Sequence, residues 1–366
     1  MKILFLATHL NPGGITTYVF LLARGLISQG HQVYVATSGG SMVSILENLG
    51  CKHITVDIKT RSELNPKLYF SLFKLAGIIK REKIDVVHTQ MRTTHVMGYF
   101  LKKITRRPHV TTCHGFYKLR LGRRLFPCWG DRVIAISSTV KEQLIESFRV
   151  DEKDIRLIPH GLKAEKYPYF TEEEKKEKKE AFHFGNQRII GMIARLADVK
   201  GQDVLINAMP LILKKCPDVK LVLVGEGKME QRLKQLAVEL NLKDQVLFYP
   251  VISKATEMLA LFDVFILPSI EEGLGLSIME AQACGLPVVA SSVGGLVSLV
   301  EHEKTGLLVP PKDAPALASA VIRLLQDKVF AQRLGEKARE FINREFSLEK
   351  MIQQTINMYE EFAPST

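Results

Sequence analysis

Short, almost unbroken apolar runs alternate with segments of helical periodicity along most of this chain, and that alternation narrows the fold before any motif is considered. In the first half the runs are Ile3–Thr8, Gln32–Thr37, Asp85–Thr89, His109–Cys113 and Arg132–Ile136. Strands that are apolar on both faces belong to a parallel sheet covered by helices on both sides. Helical patterns fall between them, at Thr16–Gln29, Pro66–Glu82, Thr93–Lys103 and Ser138–Phe148. The second half repeats the theme. Its strands are Ile189–Ala194, Lys220–Val224, Val246–Phe248, Val264–Pro268 and Pro287–Ala290, and its helices Gly201–Lys215, Lys228–Leu240, Thr256–Phe262 and Ser277–Cys284. The pattern predicts two doubly wound α/β domains, each with its ligand edge at the carboxyl ends of its strands. The chain's 366 residues suit two domains of roughly 100–200 residues each.

The spacing places an N-terminal domain at 1–165, a hinge at 166–187 and a second domain at 188–345; a helix over 346–366 is expected to pack back on the N-terminal domain. The boundary region holds Pro159, Gly161 and Pro168 and the charge run Thr171–Glu180. Glu172 with Lys176 and Glu174 with Lys178 stand at i,i+4, so the run reads as a solvated helix, with a binding role as the alternative. A composition of 46% hydrophobic and 24% charged residues excludes disordered and fibrous chains. Five cysteines, scattered and without a CxxC, argue against a disulfide framework or zinc site and fit a reducing cytoplasm. Lys2 followed by Ile3–Ala7 has too short an apolar core for a signal peptide. No segment reaches the ~20 apolar residues of a membrane span.

The passage Pro268–Ala290 carries the most chemistry. A strand ends at Pro268, the loop Glu272-Gly273-Leu274-Gly275 follows, and a helix begins near Leu276. Glycines let backbone N–H groups approach a ligand, and a helix N-terminus adds positive potential, which suits a diphosphate or sugar oxygen. Glu280 lies about two helical turns beyond Glu272, and a carboxylate accepts two hydroxyl hydrogen bonds, as from a ribose diol. Upstream, Ile189–Gly201 delivers Arg195 from the end of a strand and Lys200 just before Gly201 and a helix. A guanidinium fork and a point charge at one strand–helix junction suit a diphosphate. At the amino terminus a strand leads into Gly13-Gly14 and a helix, and His114-Gly115 follows the strand His109–Cys113. For each passage the plain alternative is an ordinary surface or structural residue.

Together these passages resemble the retaining nucleotide-sugar glycosyltransferases of GT-B fold, family 4. The matching pieces are Gly13-Gly14, His114-Gly115, Gly191…Arg195…Lys200-Gly201, Glu272…Glu280, the run Ala283–Ser291 and the stretch Gly294–Asp313. The resemblance runs from residue 1 to about 345 and is strongest over 188–325. It implies two Rossmann-like domains facing across a cleft and a sugar moved from a nucleotide sugar to a hydroxyl of a glycan or lipid-linked acceptor. It further implies that Arg195 and Lys200 neutralise the departing diphosphate and that Glu280 holds the ribose hydroxyls. Glu272 and the Gly273–Leu276 backbone would orient the donor, with Gly225 also on the donor side. His114 would contact the donor sugar, and Gly13-Gly14 would close on phosphate or acceptor. No metal or other cofactor is implied, and the chain contains no DxD.

Three positions depart from the family pattern. Ser298 stands where a Glu is usual after Gly294-Gly295, Pro250 where a Gly is common, and Pro159-His160-Gly161 where Pro-Asn-Gly is common. The second lies near the base-binding region, which leaves UDP, GDP and ADP open. Other readings of the chain are a dinucleotide oxidoreductase, a 2-epimerase of the same architecture and a non-catalytic nucleotide-sugar binder. For the first, Gly225-x-Gly227 and Gly273-x-Gly275 both lack the third glycine of G-x-G-x-x-G.

The net charge of +11 raises nucleic acid or an anionic membrane as partners, but it is uneven. Residues 1–170 hold 26 Lys+Arg and 12 Asp+Glu, whereas residues 171–366 hold 24 and 27. No recognised nucleic-acid motif accompanies the basic half. Lys118, Arg120, Arg123 and Arg124 are interleaved with Leu119, Leu121, Leu125 and Phe126, a pattern suited to an anionic membrane. A solvated basic face and a cleft for an anionic glycan are the alternatives. The expected location is cytoplasmic, with peripheral contact at the inner membrane's cytoplasmic face.

Overall fold

A computed structural model of the chain describes residues 1–60, 65–250 and 255–362. It divides into two units, Met1–Gly161 with Leu348–Thr366, and Leu162–Ser347. Residues 166–187, read above as a hinge, group with the second unit. The helix Glu172–Ala181 is held there by an ion pair from Lys179 to Asp263 at 2.8 Å. Residues 363–366, the end of the expected terminal helix, lie outside the described residues.

The first unit is built on a seven-stranded parallel sheet. Its strands are β1 (Lys2–Leu6), β2 (Gln32–Thr37), β3 (Lys52–Thr55), β4 (Val86–Thr89), β5 (His109–Cys113), β6 (Arg132–Ala135) and β7 (Ile155–Leu157), in the order β3-β2-β1-β4-β5-β6-β7. Alternation along β1 splits the core. Ile3 and Phe5 join a cluster with Tyr18, Leu22 and Leu26 of helix Gly14–Ser28 and Leu348, Met351 and Tyr359 of helix Leu348–Glu360. Leu4 and Leu6 face the opposite cluster, with Leu68, Leu72, Leu75 and Ile79 of helix Pro66–Glu82 and Met97 and Leu101 of helix Arg92–Thr105. A sheet buried on both sides explains why its strands read as unbroken apolar runs.

The second unit has six parallel strands: β8 (Arg188–Ile193), β9 (Val219–Val224), β10 (Val246–Tyr249), β11 (Val264–Leu267), β12 (Val288–Ser291) and β13 (Leu307–Val309). They lie in the order β10-β9-β8-β11-β12-β13. In each unit the winding therefore reverses between the first and fourth strands, the place where open α/β sheets bind their ligands. That point lies between β1 and β4 in the first unit and between β8 and β11 in the second. The charge run is a helix with a capping box: Thr171 Oγ1 accepts from the Glu174 N–H at 3.2 Å and Glu174 accepts from the Thr171 N–H at 2.8 Å. Glu172 pairs with Lys175, at i,i+3, and not with the expected Lys176, while Glu174, expected to pair with Lys178, is taken by the cap.

Candidate active site

The second unit's switch point brings together two residues far apart in sequence. Lys200 closes the 3-10 turn Asp198–Lys200 after β8, and Glu272 lies in the loop after β11. Their side chains form an ion pair at 2.6 Å, with only 19% and 12% of each exposed. The loops are fixed by backbone bonds. The Ile270 N–H donates to the Val199 carbonyl at 2.8 Å, and the Gly295 N–H to the Glu272 carbonyl at 2.9 Å. Gly201 makes the approach possible. It has φ +74°, and a Cβ there would lie 1.9 Å from the Pro268 carbonyl oxygen, so only glycine fits. Ser269 adds a long hydroxyl bond to Glu272 at 3.4 Å, and Ser291 at the end of β12 donates to the Ser269 carbonyl.

Arg195 is exposed just past β8, and its guanidinium has no ion-pair partner among the described residues. Its carbonyl accepts from Gln202 Nε2 at 2.9 Å, which ties this loop to helix Gln202–Lys215. One partly covered cation and one exposed cation thus sit on the loop beside the switch point, an arrangement able to take an anionic group. Gly225 follows β9 with its Cα against the Ala194 carbonyl, packing that loop onto the loop carrying Arg195. Gly273 and Leu274 continue from Glu272, and the Leu274 side chain is buried. Gly275, at φ +105°, caps helix Leu276–Ala283, whose first residue is Leu276 and whose first turn carries no acidic side chain.

Glu280 is in the same helix, but the structure records no contact between it and the Lys200–Glu272 pair. It accepts instead from the Tyr167 hydroxyl at 3.2 Å. Burial raises the Glu280 pKa, with the Tyr167 hydrogen bond opposing that rise. Tyr167 is itself anchored, because Arg339 Nη1 donates to its carbonyl at 2.9 Å. Tyr167 was not singled out from the sequence, since nothing in the local pattern links it to a helix that begins 109 positions later.

In the first unit, His114 follows β5 and both its ring nitrogens are engaged. Nε2 meets Gln90 Oε1 at 2.8 Å and Nδ1 meets His160 Nε2 at 3.2 Å. A carbonyl oxygen only accepts, so Nε2 carries the proton and Nδ1 accepts from His160. Burial, followed by the neighbouring His160, His88 and His95, holds the His114 pKa well below the ordinary range, so the ring is neutral near pH 7. Tyr18 packs edge-on to His114 at 4.9 Å and stacks on His160 at 4.7 Å. Gln90 Nε2 is buried without a partner among the described residues. Gln90 and Tyr18 were also missed; for Gln90 the available signal was its place just beyond the carboxyl end of β4. Gly13 and Gly14 open helix Gly14–Ser28, and the Gly13 carbonyl accepts from the Thr17 N–H at 2.9 Å.

Two doubly wound sheets with chemistry-bearing loops at their switch points define a two-domain α/β protein of the GT-B architecture. Comparison with known proteins gives the family. Residues 12–166 match the family described as Glycosyltransferase Family 4, and residues 173–341 match Glycosyl transferases group 1. An uncharacterised glycosyltransferase of Methanocaldococcus jannaschii is 30% identical over 98% of either chain. An Escherichia coli UDP-Gal:alpha-D-GlcNAc-diphosphoundecaprenol alpha-1,3-galactosyltransferase is 30% identical over 79% of this chain and 78% of its own. The crystal structure of a glycosyltransferase from Rickettsia africae superposes with a TM-score of 0.88 at 27% identity, covering 100% of this chain and 99% of that one. The chain belongs to the group 1, family 4 glycosyltransferases.

Proposed function

We propose that this glycosyltransferase moves a sugar from a nucleoside diphosphate sugar to an acceptor hydroxyl with retention of anomeric configuration. The observation that carries the proposal is the Lys200–Glu272 pair, set beside Arg195 at the second unit's switch point. Arg195 and Lys200 hold the diphosphate and neutralise the charge that grows on it as the anomeric C–O bond breaks. Glu272, released from Lys200 as phosphate replaces it, accepts from donor sugar hydroxyls. Glu280 exchanges the Tyr167 hydroxyl for those of the ribose. The backbone of Gly273–Leu276 aligns the phosphates, and Gly225 supports the loop that carries Arg195.

On the same face of the sugar, the acceptor oxygen bonds to the anomeric carbon while its proton passes to the departing phosphate oxygen. The products are a glycoside and a nucleoside diphosphate. The scheme routes no step through a metal. His114, neutral and with Nε2–H directed outward from its ring, donates to a sugar oxygen when Gln90 gives way. Gly13-Gly14 close on phosphate or acceptor.

The E. coli relative, whose name specifies UDP-Gal and a diphosphoundecaprenol-linked acceptor, supports a nucleotide-sugar donor and a glycan or lipid-linked acceptor. Five cysteines, all free and buried, suit a cytoplasmic setting. The test is incubation of the full chain with UDP-, GDP- and ADP-sugars, following thermal stabilisation and nucleotide release. One nucleotide series should stabilise the fold and be slowly hydrolysed. Stabilisation without release, even with acceptors supplied, would support a non-catalytic binder, and appearance of the 2-epimeric sugar would support an epimerase.

A further inference from the structure

The outer surface of two helices in the first unit is apolar where the fold has no use for it. In helix Pro66–Glu82 the inward side chains Leu68, Leu72, Leu75 and Ile79 are buried and complete their core cluster. Phe70 and Phe73, on the opposite side of the same helix, are 78% and 68% exposed. Leu121 and Leu125 of the short helix Leu121–Leu125 are 73% and 74% exposed. These are not isolated residues. Tyr69 of the first helix and Phe100 of helix Arg92–Thr105 line one shallow groove, and Phe100 meets Phe126 with ring centroids 6.0 Å apart. The segment after Leu125 is pinned by Arg92, whose guanidinium donates to the Phe126 carbonyl at 2.6 Å. The groove and the ring contact join Tyr69 through Phe100 to Phe126, with Phe70 beside Tyr69 and Leu125 beside Phe126 in the chain.

The charge around this face is mostly of one sign. Residues 86–130 contain nine Lys+Arg and no Asp or Glu. Lys103, Arg106, Lys118, Arg120 and Arg124 are exposed. Lys103 lies over the Tyr99 ring at 5.6 Å, and Arg123 over the Tyr117 ring at 4.2 Å. The acids that approach are few: Asp131 is paired with Lys102, and Asp57 with Lys67 at 3.0 Å. By structural unit, the first holds 25 Lys+Arg and 14 Asp+Glu, and the second 25 of each, so the whole excess of +11 belongs to the unit that carries the apolar face.

We propose that this face, built from Phe70, Phe73, Phe100, Leu121, Leu125 and Phe126 and flanked by the cations of residues 102–124, docks on an anionic lipid surface. Aromatic and leucine side chains enter the interface while lysines and arginines engage the headgroups, which combines apolar burial with electrostatic attraction. A protein partner of the same complementarity would need a matching acidic rim, and a second copy of this basic face would be repelled. The proposal does not depend on which sugar is transferred.

The test is flotation of the full-length chain with vesicles of phosphatidylcholine alone or of phosphatidylcholine and phosphatidylglycerol in equal parts. It is run at low salt and at about 1 M, where the Debye length falls to roughly 3 Å. Two double variants, Phe70→Ser with Phe73→Ser and Arg120→Glu with Arg124→Glu, change only exposed side chains and should melt like the parent. The parent should float with the anionic vesicles at low salt, float poorly with neutral ones, and be weakened by salt. Each double variant should partition at least about tenfold more weakly. Equal behaviour with both vesicle types, no flotation, or a double variant that floats like the parent overturns the proposal. So does a dimer, seen by light scattering, that Phe70→Ser with Phe73→Ser converts to monomer.

Discussion

Lys200 and Glu272 are 72 residues apart, and their contact rests on the glycine between Lys200 and the helix that follows. Gly201→Ala would place a methyl in a left-handed backbone position and within 1.9 Å of the Pro268 carbonyl oxygen. The expected cost is about 1–3 kcal/mol of stability, together with a displaced Lys200 and weaker nucleotide binding. Thermal melting and calorimetry check this, and an unchanged melting temperature and affinity would show that the loop absorbs the change. The candidate side chains Arg195, Glu272 and His114 stand out in the sequence because each follows the carboxyl end of an apolar run. Their partners do not. Tyr167 reaches Glu280, and Gln90 and His160 reach His114, through contacts that span 113, 24 and 46 positions. No local periodicity encodes such pairings.

Among the elements, the central strands and the longer helices were legible for a physical reason: burial on both faces demands continuous apolar residues, and burial on one face demands helical spacing. The edges were not. β3, Lys52–Thr55, reads KHIT, with both its ends exposed, and β7 and β13 have three residues each. A strand that pairs on one side only and is partly wet needs no apolar run. Helix Leu348–Glu360 shows how a late element completes an early core. Tyr359 is fully buried and its hydroxyl lies 2.6 Å from His88 Nδ1, while His88 Nε2 meets Thr112 Oγ1 at 2.7 Å. Tyr359→Phe leaves a buried imidazole nitrogen without a partner and should destabilise the first unit by about 1–3 kcal/mol. Chemical denaturation measures this, and a midpoint equal to the parent's would mean that the bond contributes nothing net.

At the scale of the molecule, the same buried histidines give stability a pH dependence. Burial, with the neighbouring His109, pushes His88 down to about 3, and burial pushes His160 down to about 4, from an ordinary value of 6.5. Below pH 6.5 the unfolded chain binds protons that these folded rings refuse. Their contribution is therefore complete above pH 6.5 and is lost as pH falls toward 4, at about 1.4 kcal/mol per pH unit for each ring. Melting temperatures should be level from pH 8 to 7 and decline from pH 6 to 5; a level profile down to pH 5 would contradict this assignment.

The central claim is that the loops at the second unit's switch point handle the leaving diphosphate. The direct measurement is turnover of the preferred nucleotide sugar by Arg195→Ala, Lys200→Ala and Glu272→Ala, with folding monitored by circular dichroism. Removing one such group should lower turnover by about 10²–10³ fold in a protein that remains folded, and Lys200→Ala should also weaken binding of the nucleoside diphosphate. Turnover at the parent's rate in the triple variant would place the chemistry elsewhere.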